Sequence, residues 1–269
     1  MIDLKKKKLF LLDMDGTIYL GDHLFDGTID FLKQVKASGG RYLFVTNNSS
    51  RSVDAYVQRL LGMGISFTTK EDFLTSVDAT IWYLRAHGKQ NAKIYASGTR
   101  TFRQQLAEAG FTITDHLEDD IDLLVSGFDT ELTFQKLEDS CILLGRGVDW
   151  IATNPDWVCP TSYGSVPDCG SVCQMLERAT GKTPRFLGKP QPEMVHLALR
   201  RTGFDPRQAV IIGDRLYTDV ACGVNAGIDS IFVLSGEGVM GDIVKYRVTP
   251  TWVYDNIAQI YQQLKENRV

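Results

Sequence analysis

Apolar positions along this chain come in short runs that alternate with stretches of helical spacing. Short apolar runs bounded by polar residues predict buried strands. Apolar residues three and four apart predict amphipathic helices. The first pattern covers 8–12 (KLFLL), 41–45 (RYLFV), 93–96, 122–125, 149–152, 184–187, 209–212 (AVII), 230–234 and 251–254. The second covers 28–38 (Ile29, Leu32, Val35), 52–61 (Val53, Tyr56, Val57, Leu60, Leu61), 100–109, 133–144, 171–180, 192–202, 217–226 and the C-terminal segment. Gly39-Gly40, Gly62, Gly110 and Gly181 close helices. Thr69 with Asp72 three residues on reads as the cap of a long helix running to His87 and Gly88. Asp168 and Gly170 suit the start of the helix at 171–180.

Strands alternating with helices imply an α/β fold, a doubly wound, mostly parallel sheet covered on both faces. In such sheets chemistry collects beyond the carboxyl ends of the strands. Asp13 follows LFLL, Thr46 follows RYLFV, Lys189 follows RFL and Asp214 follows AVII. The middle of the chain has no comparable strand-end carboxylate, so it reads as an inserted second domain.

Composition narrows the class. Of 269 residues, 43% are hydrophobic and 23% charged, the balance of a chain with a sizeable core. A net charge of −4 without acidic or basic blocks argues against nucleic acid. The one basic run, Lys5 to Lys8, reads as a solvated strand entrance. No apolar stretch approaches the ~18 residues of a membrane span. LFLL is too short for a signal-peptide core and Asp13 interrupts it, so the expected location is the cytoplasm. Five cysteines do not make a disulfide framework. Cys169 and Cys173 can meet on one helix face, as half-buried thiols rather than zinc ligands, because no CxxC pair or histidine accompanies them.

Four motifs carry candidate chemistry. In Asp13-Met14-Asp15-Gly16-Thr17, two carboxylates leave a buried strand and Gly16 permits a tight turn; a surface turn is the plainer reading. One carboxylate can attack phosphorus while the other moves protons. Thr46-Asn47-Asn48-Ser49-Ser50 offers hydroxyl, amide and main-chain N–H groups at a helix start, which suits an anion or a simple cap cluster. Lys189, in Gly188-Lys189-Pro190, supplies a compact positive charge. Asp214 and Asp219, in GDRLYTD, are hard oxygen donors of the kind Mg²⁺ prefers, and Asp219 also suits a helix first turn.

In this order the motifs resemble those of the haloacid dehalogenase superfamily. DMDGTIYLGD, VTNNSSRS, ATNPD, LGKPQPEM and GDRLYTDVACGVNAG resemble its NagD-like, or p-nitrophenyl phosphatase, branch. The resemblance spans nearly the whole chain. It implies a catalytic core over 1–81 and 184–269 with an α/β cap inserted at 82–183, and caps of this family can mediate a homodimer. It also implies an Mg²⁺-dependent phosphatase acting on a small phosphorylated metabolite. Asp13 would be the nucleophile and Asp15 the general acid and base. Mg²⁺ would be held by the Asp13 and Asp214 carboxylates and the Asp15 backbone carbonyl, with Asp219 supporting from behind. Thr46, Asn47 and Asn48 would bind the phosphoryl group, and Lys189 would balance charge. In the cap, Asn154, Asp156 and Tyr163 are candidates for substrate contact, with ordinary turn residues as the alternative. A phosphomutase and a non-catalytic phosphate-binding protein are the competing functions. Dehalogenation leaves Asp15 without a task.

Overall fold

In the computed structural model, residues 3–161 and 163–265 are described. They form two compact units. Among the described residues, the first takes 3–46, Val57–Leu74 and 189–265. Its six-stranded sheet runs in the order Trp252–Tyr254, Asp229–Val233, Ala209–Gly213, Leu9–Leu12, Arg41–Thr46, Phe73–Thr75. Leu9–Leu12 lies parallel between Ala209–Gly213 and Arg41–Thr46, with Leu12 opposite both Ile212 and Phe44. All four of its side chains are buried, which only an apolar run can supply in a strand covered on both faces.

The second unit takes Asn47–Tyr56 and Thr75–Gly188. Its five strands, in the order Arg185–Phe186, Asp149–Ala152, Leu123–Ser126, Lys93–Ser97, Thr112–Thr114, are parallel throughout. Alternation along the strands divides the core in two. Ile94, Ala96, Leu123 and Val125 pack against Val77, Leu84, Phe102 and Leu106 of helices Ser76–Ala86 and Arg100–Glu108. Tyr95, Leu124, Trp150 and Ala152 pack against Leu143, Leu144, Cys173 and Leu176 of helices Phe134–Gly145 and Cys169–Thr180. The expected α/β class is therefore present in both units. Among the described residues no helix is long and apolar enough to cross a membrane.

The units divide the chain elsewhere than at 82 and 183. Val77 belongs to the second unit's core, as does Leu187, and Arg185–Phe186 pairs with that unit's Asp149–Ala152. Periodicity identifies a helix but not the sheet it covers. The long helix expected from Thr69 is also interrupted. Thr69 and Asp72 do form a capping box, but over the short turn Lys70–Asp72. Phe73–Thr75 then enters the sheet fully buried, and the helix begins afresh at Ser76 under a second capping box, Thr75 with Asp78. The basic run is not all solvated: Lys7 is buried and paired with Asp229. Val158–Thr161 pairs antiparallel with Gly164–Pro167. Cys169 and Cys173 do meet, with Sγ atoms 3.9 Å apart.

Thr75 accepts the Asp78 N–H at 3.1 Å, and Asp78 accepts the Thr75 N–H at 2.8 Å. Thr75→Ala is expected to cost about 1 kcal/mol, read as a lower urea midpoint with unchanged slope.

Candidate active site

The buried strand Leu9–Leu12 delivers Asp13 past its carboxyl end, where the Asp13 N–H still donates to the Ile212 carbonyl at 2.9 Å. Because Leu12 and Ile212 are in register, the residues following both strands emerge side by side. Asp214 stands just beyond Gly213. A wide helical turn over Leu216–Val220 then brings Asp219 back toward the strand end, where its carboxylate accepts the Arg215 N–H at 3.0 Å. One carboxylate oxygen from each of Asp13, Asp214 and Asp219 falls within 4.8 Å of the others.

Lys189 enters this cluster almost completely buried. Its Nζ lies 2.5 Å from Asp13 Oδ1 and 2.7 Å from Asp219 Oδ1, and it donates to the Val45 carbonyl at 3.1 Å. The ammonium thus hydrogen-bonds Asp13 and the Val45 carbonyl and is ion-paired with Asp219. Burial by itself would lower the Lys189 pKa, but the Asp13 and Asp219 carboxylates outweigh it and hold the lysine charged well above its ordinary range. The carboxyl groups pay for the crowding. Burial raises the Asp13 pKa, Lys189 opposes the rise, and the charges of Asp219 and Asp214 add to it. Asp214 is pushed up to about 6, by burial first and by Asp219 second.

Three carboxylates facing one ammonium leave an excess of negative charge. Asp214 Oδ2 accepts the Glu237 N–H at 2.7 Å, but its Oδ1 is buried with no hydrogen-bond partner among the described residues. Gly16, at φ +84°, brings the Asp13–Thr17 turn so close that a Cβ there would overlap the Asp214 carboxylate. An orphaned carboxylate oxygen, converging hard donors and main chain packed against them fit a hard divalent cation.

The other expected residues are placed as follows. The Asp15 side chain stands outside the carboxylate cluster; it is exposed and accepts the Tyr19 hydroxyl at 3.3 Å. Thr46, buried, ends the strand next to Leu9–Leu12. Asn47 and Asn48 belong to the second unit. Asn48 Oδ1 accepts the Ser50 N–H and hydroxyl at 2.9 and 2.7 Å, a local turn. Asn47 donates to Asp156 at 2.6 Å. Asn154 and Asp156, expected to touch substrate, are instead buried and hydrogen-bonded to each other at 2.8 Å. Tyr163 is exposed at the hairpin turn. Ser235 and Glu237 were missed. The Ser235 hydroxyl donates to the Gly16 carbonyl at 2.7 Å, and the Glu237 N–H holds Asp214. Both follow the strand Asp229–Val233, so the strand-end rule applied to its SGEG sequence would have found them.

Residues 10–112 match the model of the haloacid dehalogenase-like hydrolases, and 186–260 match a second model described as HAD-hydrolase-like. The chain belongs to the haloacid dehalogenase-like hydrolases. An acid sugar phosphatase of Staphylococcus aureus is 31% identical over 98% of this chain and 100% of its own. A 4-nitrophenylphosphatase of Thermotoga maritima superposes with a TM-score of 0.91 at 37% identity, over 97% of this chain and 98% of that one. A glycerol phosphate phosphatase of Mycobacterium tuberculosis, solved with magnesium, gives 0.90 at 31% identity over 98% of this chain and 80% of that one. Within the family this chain falls in the NagD-like phosphatase branch, hydrolases of phosphoric monoesters.

Lys189→Met leaves the Asp13 and Asp219 carboxylates without their counter-charge. Without divalent metal, the variant is expected to lose about 3–5 kcal/mol near pH 8 and less at pH 5. The sign follows from linkage. Without the ammonium the folded-state carboxyl pKa values rise, folding takes up protons, and stability is lost as pH rises through them. Chemical denaturation at the two pH values measures the deficit; one independent of pH would show that Lys189 contributes packing alone.

Proposed function

We propose that this protein hydrolyses small phosphomonoesters (sugar phosphates, nucleoside monophosphates, p-nitrophenyl phosphate) with Mg²⁺ bound, through an aspartyl-phosphate on Asp13. The observation that carries the reading is the buried Lys189 ammonium at 2.5 Å from Asp13, inside a cluster of three carboxylates at the strand ends. A carboxylate held this way has a fixed direction of attack and a charge that is partly offset before substrate arrives.

Asp13 attacks phosphorus in line with the ester oxygen, and that bond breaks as the Asp13–phosphorus bond forms. Asp15 gives its proton to the departing oxygen. It then takes a proton from water, whose oxygen attacks the same phosphorus and frees Asp13 and inorganic phosphate. Thr46 and Asn47 hold the phosphoryl oxygens, and Lys189 offsets the charge shared between them and Asp13. Mg²⁺ would be held by the Asp13 and Asp214 carboxylates and the Asp15 backbone carbonyl, and when bound it neutralises phosphoryl oxygens. Asp219 keeps Lys189 in place, which is a supporting role. The exposure of the Asp15 side chain suits a group that must reach both a leaving group and water.

Asp13→Asn is expected to abolish release of inorganic phosphate from p-nitrophenyl phosphate, sugar phosphates and nucleoside monophosphates. Residual Mg²⁺-dependent turnover would overturn the assignment. Isomerised sugar phosphate without free phosphate would indicate a phosphomutase, and binding without turnover a phosphate-binding protein. Asp15→Asn should slow alkyl phosphates far more than p-nitrophenyl phosphate, because p-nitrophenolate leaves as a stable anion.

Proton and cation compete for the same carboxylates. With Asp214 pushed up to about 6, Mg²⁺ affinity should fall as pH drops from 7.5 to 5.5. Calorimetric titration with Mg²⁺ alone checks this; an affinity flat across that range would overturn the competition.

A further inference from the structure

The second unit contains a chain of buried polar side chains that begins at a helix end and finishes at Asn47. Asp168 caps helix Cys169–Thr180, its Oδ1 accepting the Cys169 N–H at 2.5 Å. The same oxygen accepts one N–H of the Asn154 amide at 3.0 Å. Asn154 also donates to Asp156 Oδ2 at 2.8 Å, and that oxygen accepts the Asn47 amide at 2.6 Å. The carbonyl side of Asn154 accepts the Thr153 hydroxyl at 2.8 Å. All five side chains are buried.

This is a costly arrangement unless it fixes something. Two carboxylates and two carboxamides have been taken out of water, and the compensation is charge-assisted hydrogen bonding at short range. Asp156 is itself held by main chain, since its carbonyl accepts the Gly170 N–H at 2.8 Å. What the network immobilises is Asn47. Its amide N–H points to Asp156, and its carboxamide oxygen packs on Gly188 so tightly that a Cβ there would overlap it. Its own carbonyl accepts the Ser76 hydroxyl at 2.7 Å. The turn that follows is tied down as well, with Ser49 Oγ accepting the Phe128 N–H at 2.8 Å.

We propose that Asp156 is a positioning residue for the hydrolysis, acting through Asn47 rather than through any contact with the leaving group. The proposal rests on the reading that Thr46 and Asn47 hold the phosphoryl group. If so, Asp156 governs how well the phosphoryl end is held, and every substrate shares that end. A leaving-group contact would instead sort substrates from one another.

The experiment compares Asp156→Ala, Asp156→Asn, Asn47→Ala and the Asp156→Ala/Asn47→Ala double variant. Each is assayed on p-nitrophenyl phosphate and glycerol phosphate, with orthovanadate as a probe that has no leaving group. Asp156→Ala should lower kcat/KM by about a hundredfold, the scale of a small misplacement of a binding group. The factor should be the same on both substrates, and orthovanadate inhibition should weaken in step. Asp156→Asn retains an acceptor oxygen and should recover part of the loss. The double variant should be no worse than Asn47→Ala.

Unequal losses on the two substrates would overturn the proposal in favour of leaving-group contact. Full orthovanadate affinity in a folded Asp156 variant, or additive losses in the double variant, would reduce Asp156 to a structural part. Should Asp156→Ala not fold, Asp156→Asn gives the same comparisons at smaller amplitude. Asp13→Asn separates the two levels. Turnover by Asp13→Asn would remove the nucleophile assignment itself, whereas an inert Asp13→Asn beside an unaffected Asp156→Ala would remove only the positioning role.

Discussion

A charged lysine almost wholly shielded from water is tolerable only if carboxylates surround it, and carboxylates that crowd one another are tolerable only around a cation. Lys189, Asp13 and Asp219 satisfy both conditions at once. Each pKa direction follows from that mutual dependence. The lysine is held charged by the acids, while the acids, buried and close together, bind protons more readily than usual. Such a cluster is not an efficient way to stabilise a fold, because well-packed apolar residues do as well without desolvating charge. Its retention at the strand ends is better explained by chemistry that needs a directed carboxylate.

The first unit's sheet supplies that direction with ordinary materials. Parallel strands in register bring neighbouring carboxyl ends together, so Asp13 and Asp214 need only be the first residue after their strands. Main-chain donors complete the work. The Glu237 and Arg215 N–H groups each fix one oxygen of a carboxylate, which leaves the other oxygen for Lys189 in one case and without a donor in the other. A fixed and partly unsatisfied donor set is pre-organised for a cation and costs little rearrangement when one arrives.

Much of this could be read in the sequence, and the reason is local. Asp13 and Thr46 stand directly after an apolar run, and Lys189 and Asp214 one glycine beyond theirs, so a rule about strand ends finds them without any knowledge of tertiary structure. The same rule applied to SGEG after Asp229–Val233 would have added Ser235 and Glu237. What the sequence hid depends on partners distant along the chain. Lys7 looked solvated because its partner Asp229 is more than two hundred residues away. The helix at Ser76–Ala86 was visible, but its assignment to the second unit depends on which sheet Val77 and Leu84 cover. The strand Phe73–Thr75 was concealed by two capping boxes in succession, each a true helix-start signal, of which the first leads only into a single turn.

Asn47, Asn154 and Asp156 mark a different limit. Residue type told correctly that these groups make hydrogen bonds, but an amide or carboxylate serves equally as a ligand for substrate and as a strut for another side chain. Burial and partner identity separate the two uses. Asp156 Oδ2 already accepts from two amides, and Asn154 divides its two N–H groups between two carboxylates. Groups committed in this way cannot turn to a substrate without breaking charge-assisted bonds inside a low-dielectric interior, where each costs more than it would at the surface. Hydrogen-bond saturation therefore separates groups still open to a ligand from groups already committed to other side chains, and Asp156 Oδ2, with two amides on it, is of the committed kind.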